Sequence, residues 1–112
     1  MITLQNESTE YVFVGVTGDP PGVDQEIAFL EQPNRPGSED WEEAVLVDDS
    51  QHALWGDAQA SGATGDYFLA RLVGSFGDND VSLSPGLYQV WIRLTDTVER
   101  PVRIAPVALE IA

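Results

Sequence analysis

A Pro85-Gly86 turn runs straight into an unbroken alternation of side chains over residues 87–95, and no other stretch restricts the fold as much. Tyr88, Val90, Ile92 and Leu94 fall on one face, with Gln89, Trp91, Arg93 and Thr95 on the other. A period of two is the pattern of a half-buried strand, one face in the core and one in water. Trp91 is the exception on the wet face. The stretch is therefore expected to be the central strand of a sheet.

Tyr88 follows the turn glycine by two residues and precedes the apolar Val90 by two. This is the sequence shape of a tyrosine corner, the device that closes the E–F connection of immunoglobulin-like sandwiches. The position that antibody domains fill with cysteine is Val90 here, and the chain has no Cys at all. The layer must be held by packing alone. The expected fold is an all-β, immunoglobulin-like antiparallel sandwich of about seven strands in one domain over residues 1–112. A chain of this length buries roughly two thirds of its unfolded surface.

The remaining strands are read from the same alternation. Residues 10–17 set Tyr11 and Phe13 against Val12, Val14 and Val16, after a short strand or arm at 2–4. A Gly18–Gly22 break with two prolines leads to a strand over 23–30, with Ile27 and Phe29 on one face. Residues 41–47 place Trp41, Val45 and Val47 together, near where the sandwich plan has its buried strand-C Trp. Residues 48–65 read as a long connection with one helical turn near 52–55. Strands at 66–73 and 81–83 precede the tyrosine corner. A final strand over 102–111 contains Pro106, which cannot donate to a ladder, so an edge position or a bulge is expected there.

Charge narrows the partners. The chain has 19 acidic residues against 5 basic ones, every one of them Arg, for a net charge of −14. Residues 1–57 hold 13 of the acids and only Arg35. Such a field repels phosphate backbones and anionic lipid, which argues against nucleic-acid and membrane-surface binding. It suits either a solvated surface or a basic protein partner. No apolar run reaches the ~20 residues of a membrane span, and the first residues lack a signal-peptide pattern, so synthesis in the cytoplasm is expected.

Catalytic and metal chemistry have little to work with. His52 is the only histidine, and Ser50 with Asp49 or Asp57 would complete a triad by residue type alone, without a nucleophile elbow or an oxyanion loop. An exposed loop histidine is the simpler reading. Adjacent acids such as Asp48-Asp49 and Glu42-Glu43 arise readily in so acidic a chain. Gly77-Asp78-Asn79-Asp80 resembles a fragment of an oxygen-rich cation loop without the rest of that pattern, and a side-chain-capped turn is the simpler reading. No catalytic residue, cofactor or metal site is expected.

The residues that stand out are planar groups directed outward. Trp91 and Arg93, with Arg71 on a neighbouring strand, form a candidate protein interface, since Trp and Arg are enriched at hot spots. Trp55 in the Ala-rich connection is a second candidate contact. The alternative for both is cover by the chain itself.

Gly86, Tyr88, Val90, Trp91, Arg93, Thr95, Asp96 and Glu99 carry a resemblance to small virion proteins encoded among the head and head–tail genes of actinobacterial tailed phages. Those proteins end in a strand of the form Gly-x-Tyr-x-Val-Trp-Val-Arg-Ile-Thr-Asp, a Pro-Glu turn and a last strand. Thr97-Val98 departs from their turn. Weaker likeness extends to residues 8–11, 27–29, 40–41 and 55–56. The resemblance implies a non-enzymatic structural role in the virion. Capsid decoration, or a minor head protein bound to the major capsid protein, comes first, and a head-to-tail connector or tail component is the near alternative. Partners would be other virion proteins, including further copies of this chain. A different class, a carbohydrate-binding module, would use Trp41, Trp55 and Trp91 as ring platforms.

Overall fold

The computed structural model describes residues 2–32, 34–77, 79 and 81–112. Eight strands and one short helix are formed by the described residues: β1 (Ile2–Leu4), β2 (Glu10–Val16), β3 (Asp24–Leu30), β4 (Glu42–Glu43), β5 (Val45–Val47), α1 (Trp55–Ala60), β6 (Tyr67–Val73), β7 (Gly86–Thr95) and β8 (Val102–Ile111). They build two sheets, one in the order β1-β8-β7-β3-β4 and the other β2-β6-β5. This is the immunoglobulin arrangement: β2, β6 and β5 take the places of strands B, E and D, and β8, β7, β3 and β4 those of G, F, C and C′. β1 is added in parallel beside the C-terminal end of β8, so the N-terminal arm belongs to its own sheet.

The core lies where the alternation put it. Val12, Val14 and Val16 of β2 face Ile27 and Phe29 of β3 and Tyr88, Val90 and Ile92 of β7 in one buried cluster. Val90, in the place of the antibody cysteine, is fully buried. The Tyr88 hydroxyl donates to the Ser84 carbonyl at 2.7 Å, so the tyrosine corner is made as the spacing predicts. Burial pushes the pKa of this phenol up, and Glu31 adds to the effect.

Four local expectations change. Residues 41–47 are not one strand: β4 pairs with β3 in the larger sheet, the chain crosses at buried Ala44, and β5 pairs with β6 in the smaller one. No Trp therefore occupies strand C; Ile27 and Phe29 of β3 fill that layer. The helix comes later than expected, as α1 after a turn in which His52 N–H donates to Asp49 O. Residues 81–83 are irregular, although Val81 is buried and its carbonyl accepts from Gly74 N–H.

On β7 the step from Gln89 to Trp91 faces the longer step from Ala108 to Ile104 on β8, a shift of register within the stretch for which an edge position or a bulge was expected. Among the described residues, the half of β8 before that shift has no second neighbour, because β1 pairs only with Leu109–Ile111.

Candidate protein interface

Strand pairing sets out the outer face of the larger sheet. Ala28, Trp91 and Ile104 form one row across β3, β7 and β8, and Glu26, Arg93 and Val102 form the next. Trp91 thus stands on the outward face, as its position in the alternation requires, but it is not displayed. Its ring is only 5% exposed, under the Arg35 guanidinium at 5.4 Å. The expectation of an open Trp91 docking anchor is corrected: the loop between β3 and β4 covers it. Its indole Nε1 is buried with no hydrogen-bond partner among the described residues.

Arg93 is held just as firmly. Its Nε donates to Glu26 Oε1 at 2.9 Å and its Nη2 to Glu26 Oε2 at 2.7 Å, a bidentate pair that is mostly buried. The Trp41 ring lies 4.6 Å from the same guanidinium, and Arg100 Nη2 approaches Glu26 Oε1 at 3.5 Å. Hydrogen bonding from Arg93, with the charges of Arg93 and Arg100, holds the Glu26 carboxyl below its ordinary 4.5 against the opposing effect of burial. Two tryptophans, three arginines and one carboxylate therefore pin the loop onto the sheet.

What remains open beside this latch is apolar. Val102 and Ile104, alternate residues on β8, are 47% and 51% exposed, and Leu87 is exposed farther along the same face. These residues are hard to single out from sequence because Pro106 interrupts the alternation of 102–111. The alternation of Val102 and Ile104 with Arg103 was the available signal.

The other two expected contacts lie elsewhere. Arg71 is on β6 of the smaller sheet, paired with inward-facing Val12, and its Nη1 donates to the Glu43 carbonyl at 3.3 Å. It is not beside Trp91. Trp55 packs edge-on against Phe68 at 5.1 Å, where α1 covers the outer face of the smaller sheet. It is part of an apolar cover rather than a displayed ring.

The polar candidates take local roles. His52 is half-buried, and its Nδ1 accepts from Leu54 N–H at 3.1 Å, shaping the turn before α1. Asn79 Nδ2 donates to the carbonyls of Leu72, Gly74 and Val81, which ties off the β6–β7 connection. Asp78 and Asp80, the carboxylates offered to a cation, lie outside the described residues. Among the described residues, no three His, Asp or Glu side chains gather so as to hold a metal ion, and no helix is long and apolar enough to cross a membrane.

Compared with known protein families, curated proteins and solved structures, the chain matches none.

Proposed function

We propose that this protein is a non-enzymatic adhesion module of a tailed-phage virion, a decoration or minor head protein that binds the major capsid protein. The observation that carries the reading is the exposed pair Val102–Ile104 on β8, next to Arg35, Arg93 and Arg100. An apolar centre with directional cationic groups at its rim is the usual anatomy of a protein-binding face. Arg35, Arg93 and Arg100 meet here, the last two around Glu26, on a chain that is otherwise strongly acidic. Repeated capsid sites allow a modest contact per copy to hold through multivalency. The motif from Gly86 to Glu99, which resembles small virion proteins, lies on β7 and the turn that delivers β8 to this face.

The test is occupancy on purified particles. Virions whose gene for this chain carries Ile104→Asp are expected to lose most of the protein by quantitative mass spectrometry, while the isolated variant keeps its fold. Unchanged copy number in Ile104→Asp and Val102→Asp particles would overturn this docking face. Absence of the wild-type chain from purified particles would overturn the virion role itself.

A further inference from the structure

We infer that the free edge of β2 is a strand-addition site for an extended, basic-headed segment of another polypeptide. β2 ends its sheet, pairing with β6 along one flank. Among the described residues no hydrogen bond reaches the other flank of Glu10–Val16. Every second residue there directs its N–H and C=O away from the sheet, a ready template for another strand.

The other edges are blunted and this one is not. β4 is two glutamates, and β1 and β5 are three residues each. The open half of β8 carries Arg103 and Pro106. After Glu10, β2 instead presents Tyr-Val-Phe-Val-Gly-Val, a run without charge or proline, the composition that self-pairs when left uncovered. Such an edge calls for a strand to cover it.

The surface beside the edge is hollowed. Two adjoining hollows of about 80 and 170 Å³ share Phe13, Ala63 and Val107, with Val14 and Ile2 completing the walls. Gly15 makes the near wall possible: a Cβ there would run into the Thr64 carbonyl of the loop that follows α1. The groove thus offers backbone groups along its length and apolar side-chain sites between the two sheets. This is how strand-addition sites combine affinity with selection.

Charge decides the occupant. Glu7 and Glu10 stand at the start of β2, and Asp19 and Asp66 beyond its end. A second copy pairing antiparallel through its own β2 would set acidic end against acidic end, on chains of net charge −14. A foreign segment with alternating β-branched residues and Lys or Arg at the end nearest Glu7 and Glu10 meets both demands. This site is separate from the β8 face and does not rest on the virion reading.

The experiment titrates ¹⁵N-labelled protein with the synthetic peptide Lys-Lys-Val-Thr-Val-Thr-Val-Thr. Two controls are its Glu-Glu-headed counterpart and a version N-methylated at alternate amides. The expected result is that the amides of residues 11–16 shift, and that every second one gains at least about tenfold hydrogen-exchange protection, with the first peptide and much less with either control. Shifts confined to other strands, or equal effects from the N-methylated peptide, would overturn strand addition. Equal effects from the Glu-headed peptide would overturn the basic occupant, and so would a peptide-free dimer cross-linked through β2.

Discussion

The two outer faces of this sandwich face the same problem and solve it differently. The smaller sheet is covered by apolar packing: Phe13, Val47, Phe68 and Ala70 lie under Ala58, Leu54 and Trp55 of the α1 region. The larger sheet is covered by a latch of charges and rings, Arg35 on Trp91 and Trp41 on an Arg93–Glu26 pair. Apolar burial is indifferent to pH and moderate salt, whereas a carboxylate–guanidinium pair requires the carboxylate to be ionised. The first cover is a seal. The second holds a loop in place while leaving the neighbouring strand, β8, open to a partner.

The contrast is sharpest where each cover has its keystone. Phe68→Ala removes the ring that Trp55 packs on and is expected to cost about 3–4 kcal/mol, read as a drop in urea midpoint relative to wild type that is the same at pH 4 and pH 7. Glu26→Ala leaves Arg93 mostly buried without its anion and should cost about 3 kcal/mol at pH 7. An equal loss at pH 3 and pH 7 in this variant would break the comparison, since the contribution is then not ionic.

The sign of that pH dependence follows from Glu26. Its folded pKa lies below the ordinary 4.5, so ionised Glu26 favours the folded state and its contribution is complete above that value. The contribution falls as pH drops through the window between the ordinary and the lowered pKa, and is gone below it. Wild-type stability should therefore decline over this window more steeply than that of Glu26→Gln, measured by denaturation at a series of pH values. The smallest effect belongs to Arg35→Ala, about 0.5–1 kcal/mol for an exposed cation over an indole. Its clearer readout is Trp91 fluorescence, which should shift to the red as the ring becomes wetted. An unshifted spectrum would mean that the backbone of the loop, not the guanidinium, excludes water.

The sequence made some of this legible and hid the rest for physical reasons. β7 and its tyrosine corner could be read because their signals are local: alternation, a turn glycine, and a phenol that reaches back four residues. The outward direction of Trp91 was legible for the same reason. Its cover was not, because Arg35 and Trp41 lie in a loop without period, brought over the sheet by Trp91 and Arg93 of β7, far along the chain. The crossing at Ala44 was hidden too, since β4 and β5 alternate as one strand and only the open sheet edges decide where each half pairs. α1 is shorter than an isolated helix needs to be, and packing of Trp55 and Ala58 on the sheet, rather than propensity, sets where it forms.

The most direct test of the docking account compares amide hydrogen exchange of the free chain with that of the chain carried on purified virions. Docking through β8 should give new protection centred on residues 102–104 and little change over α1. Unchanged exchange at 102–104 on the particle, with protection over the α1 face instead, would contradict it.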